Sequence, residues 1–197
     1  MQQAQAENRL TFRKVAQRIR VPAGFLLAPL LILAAKPTPR SFVVGVALSL
    51  IGLLMRAWAS GYLKKNQELT TTGPYAHTRN PLYFGTFIMA TGIAISTNAW
   101  WFVALFMALY LLIYVPVMQA EAQTLAKLFP DEFVAYSQRV PMFLPRLAPY
   151  RDEKNLLTQT GERRFALSQY LKHREYQAAL GLLLVYAILV AKFFLLK

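Results

Sequence analysis

Long apolar runs alternate with short polar segments along most of the chain. The five runs lie at residues 21–35, 41–60, 82–96, 99–118 and 178–196. A run of about 20 apolar residues is long enough to cross the hydrocarbon core of a bilayer. The run at 21–35 is short and follows a basic segment, as in a signal peptide, but Leu33-Ala34-Ala35 is a poor cleavage site. The pattern therefore predicts an all-α polytopic membrane protein with about five transmembrane helices.

Two local features refine this architecture. Only Thr97-Asn98 separate the third run from the fourth, which predicts an antiparallel helical hairpin. Gly85 and Gly92 are seven residues apart and therefore lie on nearly the same helix face. They permit a neighbouring helix or a ligand to approach closely, and for Gly92 we expect helix packing.

The composition agrees with a membrane protein. Hydrophobic residues make up 56% of the 197 residues, and only 16% are charged. The net charge is +13, and 17 of the 22 lysines and arginines fall in 1–20, 61–81 and 119–175. The positive-inside rule places these segments in the cytoplasm, with the N-terminus inside and the C-terminus outside. The excess of positive charge is then explained by orientation and anionic lipid, so we expect no nucleic-acid partner. The expected location is the inner membrane of a bacterium.

The polar segments divide the chain into three parts. Residues 1–20 carry apolar side chains at helical spacing opposite basic ones, which predicts a basic interfacial helix on the cytoplasmic side. Residues 21–147 form the predicted membrane core, including a polar cap after the fourth run. Residues 148–197 add a loose connection, a second basic interfacial helix at 163–175 and an extra transmembrane helix. The sequence contains no indication of the oligomeric state.

The polar loop between the second and third long helices is the strongest candidate for chemistry. Gly73-Pro74 fixes a turn, and Asn80-Pro81 ends the loop where Pro81 can open the next helix. The free N–H groups of that helix terminus favour an anionic ligand group. The functional side chains of the loop and the following turn belong to Tyr75, His77, Arg79, Asn80 and Tyr83. An exposed loop histidine is more often without a special role, so His77 is the weakest of these candidates.

Two further charged residues are candidates for the same site. Glu121 follows the hairpin and should emerge on the same membrane face as the loop, near Arg79 and Tyr83. A simple ion pair between Glu121 and Arg79 is the alternative interpretation. Arg56 lies within an apolar run, where an ionisable side chain is costly unless it has a partner. It either extends to the interface or faces the interior, where it pairs with a carboxylate of the ligand or of the protein.

Metal and thiol chemistry have little support. The chain has no cysteine, and its two histidines, His77 and His173, are far apart in sequence. This spacing does not fit a zinc site, so we expect no bound metal.

The order of these motifs resembles a known family. The motifs resemble those of the isoprenylcysteine carboxyl methyltransferase and phospholipid methyltransferase superfamily. They are Gly73-Pro74-Tyr75, then Arg79-Asn80-Pro81-Leu82-Tyr83-Phe84-Gly85, a hairpin, and then Glu121, Leu125, Phe129, Tyr136 and Val140-Pro141. The resemblance covers roughly residues 41–146. It implies a helical membrane core whose C-terminal half closes over S-adenosylmethionine, with a lipid substrate that reaches the methyl group through the bilayer.

The resemblance also assigns roles to residues. It places the cofactor near the residues Gly73, Pro74, Tyr75, His77, Arg79, Asn80, Pro81, Tyr83 and Glu121. The candidate catalytic residues are Arg79, Glu121 and Arg56. Two positions depart from the family pattern. Asn80 stands where a histidine is frequent, and Ala122 stands where a second glutamate is usual.

The most favoured function is methyl transfer from S-adenosylmethionine to a lipophilic acceptor at the cytoplasmic membrane face. A carboxylate acceptor, such as a prenylcysteine, needs no base, whereas a lipid amine must lose a proton, for which Glu121 is the leading base. Two alternatives stay open. One is a nicotinamide-dependent membrane reductase of the sterol type, and the other is a membrane scaffold without enzymatic activity.

Overall fold

The computed structural model describes residues 27–64, 67–151 and 165–195. These residues form helices and turns without a β-strand, which confirms the predicted all-α class. The described part of α1 covers residues 27–34. The other α-helices are α2 (Pro39–Tyr62), α3 (Pro81–Ser96), α4 (Trp100–Leu128), α5 (Pro130–Arg139), α6 (Leu167–Lys172) and α7 (Tyr176–Leu195). The predicted interfacial helix at 1–20 lies outside the described residues.

Three helices in the described part of the chain, α2, α4 and α7, are long and apolar enough to cross a membrane. The chain is therefore an integral membrane protein, as predicted. Helix α3 is also apolar but has only 16 residues. It is about 24 Å long, less than the roughly 30 Å of a hydrocarbon core. The loop that precedes Pro81 lies at the N-terminal end of this helix.

Two helix lengths differ from the prediction. Helix α4 does not end near residue 118 but continues to Leu128, for 29 residues in all. At about 1.5 Å per residue it extends roughly 43 Å, so its last turns project beyond the hydrocarbon core. The predicted helix at 163–175 was too long, because α6 has only six residues and a turn follows it, with Arg174 at φ 54°. Residues 163 and 164 lie outside the described residues.

Small residues bring α2 and α3 into close contact. A Cβ atom added to Gly85 would lie 2.9 Å from the carbonyl oxygen of Gly52, and one added to Gly92 would lie 2.6 Å from the backbone nitrogen of Ser49. Gly45 likewise has the backbone of Gly92 against it. Such backbone contact is possible only without side chains at these positions. The predicted packing role of Gly92 is confirmed.

Helix α7 is attached to this pair by polar contacts. The hydroxyl of Tyr186 lies 2.8 Å from the Oγ of Ser49 in α2 and 3.1 Å from the Oγ of Ser96 in α3. Near the end of α7, the ammonium group of Lys192 donates to the carbonyl oxygen of Leu33, at 3.0 Å, where α1 ends. Hydrogen bonds between helices are favourable in an apolar medium, so these contacts fix the position of α7.

A small apolar core lies where the chain leaves the membrane. Its buried members are Leu69, Phe133, Tyr136 and Val140. Side chains from the last turns of α4, among them Leu125, pack against it. This core fixes α5 and the following segment against the loop at 73–80. The predicted polar cap therefore covers one end of the helices.

Candidate functional site

The loop between α2 and α3 contains a turn of 3-10 helix at Gly73–Ala76. Gly73 has φ +59°, in the left-handed region that glycine adopts without strain. The ring of Tyr62 lies where a Cβ on Gly73 would be, with its nearest carbon at 2.6 Å. Both the backbone and the space at this position therefore require glycine. Pro81 is buried at the first position of α3, as predicted.

Hydrogen bonds fasten this loop to the segment that follows α5. Arg79 donates its backbone N–H to the carbonyl oxygen of Pro141 at 2.9 Å, and the Asn80 amide donates to Met142 at 2.8 Å. The Nδ1 of His77 donates to the carbonyl oxygen of Arg146 at 2.8 Å, and Arg146 returns a backbone bond to His77 at 2.9 Å. The loop and the cap thus form one rigid unit. His77 and Asn80 use at least one polar group each to hold it together.

Tyr83 and Glu121 connect α3 to α4. The Tyr83 hydroxyl donates to the Oε1 of Glu121 at 2.6 Å, so the prediction that the two residues meet is confirmed. The Tyr110 hydroxyl donates to the Tyr83 carbonyl oxygen at 2.7 Å, which supports the first turn of α3. The ring of Tyr114 lies 5.5 Å from that of Tyr83, centroid to centroid. The Glu121 carboxylate is therefore bonded to a tyrosine whose ring packs against a second tyrosine ring.

Tyr75 of the loop contacts the cap. Its carbonyl oxygen accepts a hydrogen bond of 2.7 Å from the hydroxyl of Tyr136 in α5. Burial raises the pKa of the Tyr75 phenol above its ordinary value, and the nearby Tyr136, Glu121 and Glu175 raise it further. Both carboxylates therefore act electrostatically on this phenol, which stays protonated at neutral pH.

Arg79 contacts α5 of the cap. Its guanidinium carbon lies 5.9 Å from the centroid of the Phe133 ring, a cation-π contact. Burial lowers the pKa of Arg79, while Tyr136 raises it. Within the described ranges no carboxylate lies within 4 Å of this guanidinium. The alternative interpretation of an Arg79–Glu121 ion pair is therefore wrong.

Arg56 faces the protein interior and pairs with a carboxylate of the chain itself. Its guanidinium holds both carboxylate oxygens of Glu175, with distances of 2.9 to 3.1 Å. A third nitrogen of the group donates to the Oγ1 of Thr86 in α3. The side chains of Arg56 and Glu175 are only 20% and 10% exposed. Arg56 therefore does not extend to the interface.

Unpartnered polar atoms cluster in the same loop. Four buried side-chain polar atoms of the described residues have no hydrogen-bond partner, and three of them belong to Thr72, Tyr75 and Arg79. Buried groups of this kind are costly unless something binds them. A hydroxyl group can donate or accept, and a guanidinium N–H can donate, so these atoms suit a ligand with both carboxylate and cationic groups. The residues present therefore fit S-adenosylmethionine, whose amino-acid end is zwitterionic.

Two residues near this site were not predicted from the sequence. Glu175 is 119 positions from Arg56, and the sequence around it contains no motif that indicates a site. Thr86 belongs to an apolar helix, where it reads as an ordinary helix residue. Helical spacing could have flagged Thr86, which lies three residues after Tyr83 on the same face of α3.

An apolar groove lies elsewhere in the structure, outside the candidate site. A groove of about 290 Å³ runs between the beginning of α2 and the end of α7. It is lined by apolar side chains such as Phe42 and Phe193, and none of the candidate site residues borders it. In the part of the chain that the structure describes, no group of three or more His, Cys, Asp or Glu residues could hold a metal ion.

Comparison with known proteins identifies a similar family. The family model described as phospholipid methyltransferase matches residues 42–132, which confirms the predicted resemblance for this part of the chain. The matched segment includes Arg56, the loop and Glu121, whereas Tyr136 and Glu175 lie beyond it.

Two curated bacterial proteins are similar in sequence to the chain. The chain is 35% identical over 121 residues to the nickel-cobalt-cadmium resistance protein NccN of Alcaligenes xylosoxydans xylosoxydans, a match that covers 60% of this chain and 55% of the relative. It is 36% identical over 113 residues to the cobalt-zinc-cadmium resistance protein CzcN of Cupriavidus metallidurans, with 56% and 50% covered. The chain thus spans about half the length of these curated relatives. No solved structure matches it significantly.

Proposed function

We propose that the protein transfers a methyl group from S-adenosylmethionine to a lipophilic acceptor at the membrane face where α3 begins. The observation that carries this proposal is the set of buried, unpartnered polar atoms on Tyr75 and Arg79 inside the family-matched segment. The Tyr75 phenol also lies near enough to the Glu121 carboxylate for that charge to raise its pKa. A rigid loop with unsatisfied polar groups is what a preorganised ligand site needs.

The polar groups of the site divide by charge. The Arg79 guanidinium, without a carboxylate partner in the described residues, would hold the carboxylate of the cofactor. The Glu121 carboxylate and the tyrosine rings beside it would favour the cationic groups. When bound, the cofactor supplies an electrophilic methyl group on a sulfonium. The protein then has to align the acceptor and exclude water, and it needs no metal or covalent nucleophile for this.

A lipophilic acceptor is supported by the depth of the site. Helix α3 is about 24 Å long, so its N-terminal turn lies near the boundary between hydrocarbon and head groups. An acceptor can therefore keep its chain in the bilayer while its reactive end reaches the loop. If the acceptor is an amine, Glu121 would accept its proton. If the acceptor is a carboxylate, no base is required.

The remaining assignments follow from this proposal. We place the membrane core and the cofactor site in residues 21–147 and treat 148–197 as an addition to this core. The distribution of basic residues supports a cytoplasmic N-terminus, and the two bacterial relatives support a bacterial inner membrane.

Because these relatives are named for metal resistance, we also propose that the methylated product contributes to growth at toxic cobalt, nickel or cadmium concentrations. Deleting the gene should then lower metal tolerance.

The reaction can be tested with a methyl-labelled cofactor. Purified protein in lipid nanodiscs is incubated with labelled S-adenosylmethionine and a total lipid extract, and the extracted species are separated and counted. Label should enter a lipid-soluble species with wild-type protein and with Glu68→Gln, a change in the exposed Lys64–Glu68 pair. It should be lost with Glu121→Gln. Label in no extracted species would contradict the proposal.

A further inference from the structure

Two carboxylates reach the same face of α3 from different parts of the chain. Tyr83 and Thr86 are three residues apart, so their side chains lie next to each other on that face. Tyr83 donates to Glu121 of α4, and Thr86 accepts from Arg56, which holds Glu175. The first turns of α3 are thus held by two carboxylates. Glu121 lies in the family-matched part of the chain and bonds to Tyr83, whereas Glu175 lies beyond that part and acts on Thr86 through Arg56.

Glu175 is held in place by its own segment. The backbone N–H of Ala166 donates to the carbonyl oxygen of Gly61 at 3.0 Å, and the Nε2 of His173 donates to that of Leu63 at 3.1 Å. The ring of Phe165 covers Gly61, where a Cβ atom would collide with it. Residues 165–175 therefore dock on the C-terminal end of α2 and present Glu175 to Arg56. We call these residues the docking segment.

The Arg56–Glu175 ion pair is largely buried and is not an exposed surface contact. Both of its side chains are largely buried, and the guanidinium uses its fork to bind two oxygens of Glu175 while a further nitrogen reaches Thr86. Arginine can bind a carboxylate in this two-point manner, and lysine cannot. The contrast within this chain is the Lys64–Glu68 pair, whose side chains are 46% and 31% exposed.

We propose that Glu175 is a positioning residue of the candidate site, which acts through Arg56 to hold the beginning of α3 and with it the Tyr83–Glu121 pair. The inference rests on the proposed function for its effect on the cofactor, but its structural part does not. It gives the docking segment, which lies outside the family-matched residues, a role in ligand binding. Arg56 is then a bridge between Glu175 and α3.

Three variants separate positioning from simple stability. Glu175→Gln leaves the Arg56 charge buried without its partner. The double variant Arg56→Met, Glu175→Leu removes both charges, and such a replacement often leaves stability unchanged or improved. If the pair only stabilises the fold, the double variant should behave as wild type. If the pair positions α3, the double variant should keep its melting temperature and still lose the position of Tyr83. Arg56→Lys keeps the charge without the fork and should resemble the double variant.

The first measurement needs no ligand. Hydrogen exchange of peptides that cover residues 81–88 is followed by mass spectrometry in nanodiscs, with Glu68→Gln as the control. Exchange in this region should be at least several-fold faster in the double variant and in Arg56→Lys, and unchanged in the control. Wild-type exchange in the double variant would overturn the proposal, whether or not the protein binds the cofactor.

The second measurement concerns the ligand. The dissociation constant of S-adenosylhomocysteine is measured by calorimetry for the same set of variants. Because a misplacement of about 1 Å can cost up to roughly 100-fold in function, we expect the double variant to bind at least about tenfold more weakly. Unchanged affinity despite faster exchange would show that the position of α3 does not matter for the ligand and would overturn the role of Glu175. If the wild type itself does not bind, the proposed function fails, and the exchange data still decide the structural part.

Discussion

Tyr75 offers a test in which stability and affinity change in opposite directions. Its side chain is only 7% exposed, and its hydroxyl has no hydrogen-bond partner among the described residues. Burying such a hydroxyl costs about 1 to 3 kcal/mol, so Tyr75→Phe removes a penalty from the ligand-free protein. A gain of about 1 kcal/mol corresponds to a rise in Tm of roughly 2 to 4 °C for a protein of this size.

The same change should weaken the binding of S-adenosylhomocysteine. A neutral hydrogen bond contributes about 0.5 to 1.5 kcal/mol, so the dissociation constant should rise by roughly 2- to 12-fold. The matched control is Tyr186→Phe in α7, whose hydroxyl is bonded to Ser49 and Ser96 far from the loop. This control should lower Tm and leave the affinity unchanged.

Thermal unfolding in nanodiscs measures the change in Tm, and calorimetric titration measures the change in the dissociation constant. A lower Tm for Tyr75→Phe would mean that the hydroxyl already has a partner in the ligand-free protein. An unchanged dissociation constant would mean that the hydroxyl does not face the ligand. Either result would refute the assignment of the unpartnered hydroxyl to a binding site.

Three further changes test other parts of the account. Gly52→Ala places a Cβ atom 2.7 Å from the Cα of Met89 and should destabilise the protein by about 1 to 3 kcal/mol in denaturant unfolding, whereas Gly181→Ala, with nothing within 4 Å, should not; equal effects would contradict the close α2–α3 packing. Asn80→Ala loses the 2.8 Å bond to Met142 and should cost about 1 to 3 kcal/mol in the same assay, and an unchanged stability would show that the loop does not depend on this bond. Arg79→Ala should weaken S-adenosylhomocysteine binding about 10- to 100-fold in calorimetry because a charged hydrogen bond is lost, while Tm changes little; full affinity would remove Arg79 from the site.

Local sequence rules predicted the parts of the fold that depend on neighbouring residues. Asn80 lies outside the helical region, with φ −130° and ψ 57°, because proline disfavours the α conformation in the residue before it. Pro81 then begins α3. Thr97-Asn98 does connect two helices, and Asn98 adopts φ 59° in that turn. The length of α4 was missed because polar and charged side chains interrupt the apolar run in 119–128, although this segment contains neither glycine nor proline to stop a helix.

The candidate site was predicted only where topology determines which residues meet. Glu121 and the loop lie at the same ends of a helical hairpin, so the contact between Tyr83 and Glu121 could be anticipated. The partner of Arg56 could not, because any of several carboxylates could satisfy a buried arginine. Its identity depends on the docking of residues 165–175 on α2, a tertiary contact that no spacing along the chain encodes.

The most direct test of the central claim is a titration of the wild-type protein with S-adenosylhomocysteine and, separately, with NADPH, followed by its melting temperature. A ligand that binds the folded state raises Tm with its concentration. The account predicts that S-adenosylhomocysteine raises Tm, that NADPH does not, and that Arg79→Ala removes most of the effect. A rise with NADPH alone would favour a nicotinamide-dependent reductase, and no rise with either ligand would favour a membrane scaffold, so both results would contradict the account.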